Sequence, residues 1–281
     1  MADNRAQAEY WNSPITEPWV RLQERLDAFF APLAEAGIAA AQPASGEHAL
    51  DIGCGCGATV LALAQRVGTG GHVNGVDISS QMLERARSRV AEARLSNVTL
   101  TLADASTYPV PTASLDLVFS RLGVMFFADP VAAFKHIHVG LKSSGRMVFV
   151  CIRSPGENPF SMTAVQAARS VLPADALPVP SPEDPGMFSF ADPARVQRIL
   201  GAAGFRDIRM TPLDVSFRIP GPAADAAAFS LEFGPLPRVL AGVSQEMRAE
   251  VTKAVADAYR RLEGPDGIEL SGAFWIVEAR R

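Results

Sequence analysis

The chain is poor in cysteine and histidine, and these shortages narrow its chemistry. Only three cysteines and four histidines occur in 281 residues. Cys54 and Cys56 sit in one glycine turn and Cys151 in an apolar run, so they make no disulfide framework and suit a reducing cytoplasm. Cys54-x-Cys56 reads as small residues filling a tight turn. No His, Asp, Glu or Cys pattern has metal-ligand spacing, so no metal is expected. A run of about 18 apolar residues is missing, so no membrane span is expected. The polar residues 1–10 lack the apolar core of a secretory leader. Basic excess is missing as well. A net charge of −4 gives no overall attraction to phosphate backbones, so nucleic acid is not an expected partner. There is no internal repeat.

What remains is an ordinary globular composition, 48% hydrophobic and 20% charged. The length suffices for one large domain, or for one domain with an elaborated lid. Residues 16–36 carry Trp19, Leu22, Leu26, Phe29, Phe30 and Leu33 at helical spacing. Short apolar strands then follow at 47–52, 72–76, 98–102, 115–120 and 147–152. Helices alternate with them at 58–67, 80–94 and 130–141, the last two capped by Ser79 and by Asp129-Pro130. The alternation predicts an α/β fold with a doubly wound, mostly parallel sheet. Such sheets bind ligands beyond the carboxyl ends of their strands. Asp51, Asp77, Asp104 and Ser120 all fall there.

The composition shifts after Arg153. Seven prolines (155, 159, 173, 178, 180, 182, 185) surround a predicted helix at 161–172, the mark of an excursion over a site rather than core. A helix at 193–203, a strand at 205–219, a helical piece at 223–233, a helix at 244–262 and a strand at 268–279 complete the chain. The organisation expected is an N-terminal helical lid segment (1–44), a cofactor-binding core (45–153) and a proline-rich lid insertion (154–190). The rest of the sheet (191–281) carries a helical insertion at about 220–265.

The densest motif is Asp51-Ile52-Gly53-Cys54-Gly55-Cys56-Gly57-Ala58-Thr59. A strand that runs through a glycine turn into a helix lets backbone approach a ligand and offers unpaired N–H groups. Asp51 repels a pyrophosphate but suits a ligand with ammonium and sulfonium charge, which favours S-adenosylmethionine over NAD. Gly53 and Gly55 allow close approach of the methionine part. Asp77 is placed to accept from both ribose hydroxyls, with Ile78 and Met82 covering an adenine face. Asp104, beside Ala105, can accept from the adenine amino group. Ser120 and Arg121 end the fourth strand, facing the methyl group. Gly53-x-Gly55-x-x-Ala58 also fits a nicotinamide fingerprint formally, so an NAD(P)-dependent oxidoreductase is one alternative. A non-catalytic S-adenosylmethionine-binding protein is the other, because no indispensable catalytic residue stands out.

On residues 51–59, Gly75-Val76-Asp77-Ile78-Ser79, Leu102-Ala103-Asp104-Ala105 and LDLVFSRLGVMFFADP at 115–130, the chain resembles the class I S-adenosylmethionine-dependent methyltransferases. It looks closest to the bacterial branch similar to ubiquinone/menaquinone-biosynthesis C-methyltransferases. The resemblance covers 45–153 firmly and 190–281 loosely. It implies a Rossmann-like methyltransferase fold with a seven-stranded sheet, the last strand antiparallel. By matching position it implies that Asp51, Gly53, Asp77, Asp104 and Ser120 contact the cofactor. The product would be S-adenosylhomocysteine.

No Asn/Asp-Pro-Pro-Tyr motif follows the fourth strand, which favours a small-molecule acceptor. Trp11, Arg121, Met125, Phe126 and Arg153 are the substrate-pocket candidates. The apolar ones suit an aromatic or lipid-like acceptor, and either arginine would stabilise an anionic one. No histidine is placed as a general base, so catalysis is expected to lean on positioning and desolvation. The N-terminal helix and the one at 244–262 leave a homodimer open.

Overall fold

The structure is a computed structural model that describes residues 4–177 and 181–281. Pro178 and Pro180 of the proline-rich stretch, and the first three residues of the N-terminal segment, lie outside the described residues. The chain divides into two compact units. One comprises 1–152, 182–213 and 274–281, the other 153–181 and 214–273.

The first unit opens with three helices, α1 (Arg5–Trp11), α2 (Pro18–Arg21) and α3 (Gln23–Ala41). Sequence periodicity suggests one helix over 16–36. The chain instead breaks between α2 and α3 at Leu22, and α2 starts with Pro18 at its first turn, where a missing N–H does no harm. α1 has no buried residue and shows no apolar stripe to read. The alternation that follows is as expected: β1 (His48–Ile52), α4 (Ala58–Val67), β2 (His72–Asp77), α5 (Ser80–Glu92), β3 (Val98–Leu102), β4 (Leu115–Arg121), α6 (Pro130–Gly140) and β5 (Leu141–Ile152). Ser79 Oγ caps α5 by accepting from Met82 N–H, and Asp129 caps α6 by accepting from Ala132 N–H at 3.0 Å. β5 begins six residues before the apolar run that announces it, since its start, Lys142-Ser143-Ser144, is polar.

Beyond β5 come α7 (Pro159–Arg169), α8 (Pro193–Ala202), β6 (Arg206–Ile219), α9 (Ala223–Ser230), α10 (Leu236–Leu240), α11 (Gln245–Arg260), β7 (Glu263–Gly264) and β8 (Gly267–Arg280). The strand order is β3-β2-β1-β4-β5-β8-β6, with β7 paired to β8. β1 to β5 pair in parallel, and β8 runs antiparallel to β5 from Arg146↔Arg280 to Ile152↔Phe274. The sheet thus has eight strands rather than seven. The extra one is the two-residue β7, made by the turn Gly264-Pro265-Asp266-Gly267, with Gly267 at φ +104°.

Both sheet-facing layers of the first unit are apolar. Leu50, Ile52, Val76, Leu117, Val118, Phe119, Phe149 and Val150 are essentially inaccessible, as expected for parallel strands covered on two faces. α3 packs on β4 and β5. Its Gly37 lies so close that a Cβ there would come within 2.8 Å of Val150 Cγ2. In the second unit α11 packs on α7 and α9. Its Tyr259 is fully buried, and the phenol donates to Ser230 Oγ at 2.7 Å. Asn158, also fully buried, donates to Ser154 C=O at 2.8 Å and accepts from Ala273 N–H at 2.8 Å, joining the two segments of that unit.

Candidate active site

The candidate site residues lie at the carboxyl ends of β1 to β4 in the first unit. β1 and β2 run in register from His48↔His72 to Ile52↔Val76, with Asp51 opposite Gly75, so Asp77 lies two residues further along its strand, level with the start of the glycine turn. The turn after β1 bends through Gly53 (φ +68°), Gly55 (φ +53°) and Gly57 (φ +87°), a region other residues rarely adopt. At Gly53 the constraint is doubled, because a Cβ would stand 2.9 Å from Gly123 Cα. Gly55 N–H donates to Asp77 Oδ2 at 2.7 Å, and Ser79 N–H to Asp77 Oδ1 at 2.8 Å. Each carboxylate oxygen has lone-pair capacity for a further donor. Burial raises the Asp77 carboxyl above its ordinary range, opposed by the N–H groups of Ser79, Gly55 and Ile78.

Asp51 is wholly buried. Its Oδ2 accepts from Thr59 Oγ1 at 2.5 Å, and its Oδ1 is sealed from solvent without a hydrogen-bond partner. Burial raises its pKa from 3.8 to about 7. Thr59 and the charge of Arg121 oppose the rise, and the charge of Asp77 adds to it. Cys54 and Cys56 share the turn, and burial pushes their thiols up, Cys56 to about 12, so neither offers a thiolate. Among the described residues no group of three or more His, Cys, Asp or Glu side chains is arranged to hold a metal ion.

A cavity of about 320 Å³ adjoins these strand ends, lined by Asn4, Arg5, Ala8, Ile78, Leu102, Ala103 and Asp104. Leu102 is 53% exposed, a large apolar residue presented at a strand end. Asp104 Oδ1 accepts from Asn4 Nδ2 at 2.8 Å and from Ser106 N–H at 2.9 Å. Asn4 Oδ1 in turn accepts from Ala128 N–H at 2.8 Å. At the far end of α1, Asn12 donates to Ile78 C=O at 2.9 Å and accepts from Ser80 N–H and Ser80 Oγ at 2.9 Å each. Two asparagines therefore clamp α1 over the cavity. Neither has a local sequence signal, although Asn12 belongs to the Tyr10-Trp11-Asn12-Ser13-Pro14 run.

The other sequence-derived candidates have distinct places. Ile78 lines the cavity. Met82 is buried, with its sulfur 3.7 Å from where a Gly55 Cβ would lie, so it backs the glycine turn. Ala105 is half-buried directly after Asp104. Ser120 is fully buried and spends its hydroxyl on Ile52 C=O at 2.8 Å, tying the ends of β4 and β1 together. Trp11 meets Phe126 edge to face at 5.5 Å and Trp19 at 5.7 Å, and Trp19 stacks on Phe30 at 6.5 Å. Met125 is buried beside Phe126, and its carbonyl accepts from Gly186 N–H at 3.1 Å and Ser189 Oγ at 2.6 Å. Residues 182–190 of the proline-rich stretch thus fold against the first unit. Arg153 belongs to the second unit, where it pairs with Asp214 at 2.9 Å and with Glu157. Arg121 is half-buried, with its guanidinium 5.6 Å from the Phe30 ring centroid. His136 Nε2 donates to Tyr108 C=O at 2.6 Å, and His138 packs on Phe205, so neither touches the strand ends.

Residues 43–201, more than half of the chain, match the family described as "Methyltransferase domain". The chain belongs to that family. It is 39% identical over 133 residues to aklanonic acid methyltransferase of Streptomyces sp. (strain C5), covering 47% of this chain and 60% of that protein's length. It is 30% identical over 206 residues to nocamycin O-methyltransferase of Saccharothrix syringae, covering 70% of this chain and 72% of the relative. Among solved structures, phosphoethanolamine N-methyltransferase 2 of Haemonchus contortus, bound to S-adenosylhomocysteine and phosphomonomethylethanolamine, superposes with a TM-score of 0.59 at 18% identity. That match spans 100% of this chain and 60% of the other, and at such identity it speaks for the fold. Among the described residues no helix is long and apolar enough to cross a membrane.

Proposed function

We propose that the protein transfers the methyl group of S-adenosylmethionine to a small-molecule acceptor. The observation that carries this reading is the pair of carboxylates, Asp77 and Asp104, at the ends of neighbouring strands, with the cavity of Ile78, Leu102 and Ala103 beside them. A ribose would donate its hydroxyls to Asp77, and an adenine amino group would donate to Asp104. The Gly53–Gly123 approach leaves bare backbone for the methionine chain, with Gly55 and Met82 behind it. Ala105 would flank the base. Ser120 would act by holding β4 against β1 rather than by donating to the cofactor, since its hydroxyl is already bonded. The family match and the methyltransferase names of the relatives support the same reading.

The cofactor supplies an electrophilic methyl on a sulfonium, so the protein need only hold a nucleophile in line and keep water out. α1 roofs the adenosine cavity. Trp11, Phe126 and the buried Met125 offer an aromatic and apolar wall to the acceptor, which suits an aromatic or apolar molecule. Orientation of this kind is worth roughly 7–11 kcal/mol in favourable intramolecular cases. The three cysteines are free thiols, which fits a reducing compartment such as the cytoplasm.

Calorimetric titration with S-adenosylhomocysteine tests the reading. Wild-type protein should bind it at micromolar concentration, and Asp77→Ala should abolish that binding. A folded wild-type protein, free of carried-over ligand, that binds NAD(H) and not S-adenosylhomocysteine overturns it.

A further inference from the structure

The turn after β4 is held from two sides. Residues 124–128 carry Met125 and Phe126, part of the apolar wall offered to the acceptor. On one side lies α1. Its Trp11 meets the Phe126 ring, and Asn4, just ahead of the helix, accepts from Ala128 N–H through Oδ1 at 2.8 Å. On the other side lies the loop 183–189. Gly186 N–H and Ser189 Oγ both donate to Met125 C=O, at 3.1 Å and 2.6 Å. Arg195 of α8 closes that loop on itself. Its Nε donates to Ser189 C=O at 3.0 Å, and its guanidinium pairs with Glu183.

α1 is tied to the adenosine cavity as well. Asn4 Nδ2 donates to Asp104 Oδ1 at 2.8 Å while its Oδ1 takes Ala128 N–H. A carboxylate only accepts and a backbone N–H only donates, so both ends of the Asn4 amide are committed. One side chain thus joins the end of β3 to the turn after β4. Asn4, Arg5 and Ala8 also line the cavity. No residue of the seven-residue α1 is buried, so little apolar area holds it, and so short a helix does not persist alone. Small changes in contact energy therefore decide whether α1 is seated. A nucleoside that touches Arg5 and Ala8 adds contacts that exist only in the seated position, and so favours it.

We propose that Asn4 is a positioning residue that makes the acceptor wall depend on the cofactor. A filled adenosine cavity seats α1. Seated α1 fixes residues 124–128 through Asn4 and Trp11, and the fixed turn holds the loop 183–189 through Met125 C=O. The proposal rests on the S-adenosylmethionine reading and adds an order of events: the cofactor binds first, and the acceptor then meets a finished wall. Every link is a direct contact within the first unit.

Amide hydrogen exchange with and without saturating S-adenosylhomocysteine tests it. In wild type the ligand should slow exchange at 183–190, the Gly186 N–H included, by about tenfold, the scale of one or two hydrogen bonds. It should also slow exchange in α1 and at Gly55, whose N–H meets Asp77. In Asn4→Ala, at a ligand concentration that saturates it by calorimetry, the slowing at Gly55 should remain, which shows a folded and occupied protein, while the slowing at 183–190 disappears. Asn4→Asp keeps an acceptor for Ala128 N–H but sets a second carboxylate against Asp104, and should uncouple the loop as alanine does. Ser189→Ala should weaken the slowing at 183–190 and leave that in α1 unchanged. Slowing at 183–190 that survives in Asn4→Ala, or that is missing from wild type while Gly55 is slowed, overturns the proposal. Wild-type protein that does not bind S-adenosylhomocysteine in the calorimeter overturns the cofactor reading itself.

Discussion

Asp51 should make the cofactor-free protein less stable as the pH rises from about 4 to about 7. Its carboxyl moves from an ordinary pKa of 3.8 to about 7 on folding, chiefly through burial. A group whose folded-state pKa is raised holds its proton more tightly in the folded chain. Below the unfolded value both states are protonated and nothing is lost. Between about pH 4 and 7 the unfolded chain ionises Asp51 while the folded chain resists, so stability falls, and above 7 the loss is complete. At about 1.4 kcal/mol per pKa unit the full effect is on the order of 4 kcal/mol, a large part of the margin of an ordinary domain. Asp51→Asn removes the titration but keeps an oxygen for Thr59 Oγ1, so the hydrogen bond at 2.5 Å has an heir.

Urea denaturation of wild type and Asp51→Asn, both cofactor-free, at several values between pH 4 and 8 reads the effect directly. The variant should gain on wild type by at least about 2 kcal/mol over that window. Asp77 also carries a raised pKa, but it is present in both proteins and largely cancels from the comparison. Two stability curves that stay parallel across the window would refute the reasoning.

Gly53→Ala should lose S-adenosylhomocysteine binding and about 1–3 kcal/mol of stability. Its Cβ would press on Gly123 Cα at 2.9 Å in a backbone at φ +68°, and calorimetry with thermal unfolding checks both effects. Asn4→Ala breaks the bridge from Asp104 to Ala128 and should speed S-adenosylhomocysteine release about tenfold, as losing one or two hydrogen bonds predicts. Stopped-flow displacement would show it, and an unchanged off-rate would mean that α1 is not the roof that holds adenosine. Tyr259→Phe strips a buried partner from Ser230 and should destabilise the protein by about 1 kcal/mol while S-adenosylhomocysteine affinity stays the same.

What could be read from the sequence follows how local the determinants are. From β1 to β5 each strand or helix is announced within its own few residues: Gly57 at the start of α4, Ser79 capping α5 and Asp129-Pro130 opening α6. The acidic positions at the strand ends were legible for the same reason. α1 was not, because seven residues with no buried side chain carry no pattern. Asn4 and Asn12 hold it through partners 66 to 124 residues away. The second unit was legible only in part. Proline density marked an excursion, but nothing local says that 153–181 folds with 214–273 through Asn158, which reaches Ala273 across 115 residues.

The end of β4 shows where such reading stops. Ser120 and Arg121 are neighbours at one strand end, and the pattern brings both near a methyl group. Strand alternation then sends their side chains to opposite faces. One hydroxyl is consumed by Ile52 C=O, while the guanidinium goes to Phe30 of α3, the helix that packs on β4 and β5. The periodicity of Leu26, Phe29, Phe30 and Leu33 says that α3 buries a face, not which face of the sheet receives it. That choice sets the Phe30 ring of α3 against the Arg121 guanidinium.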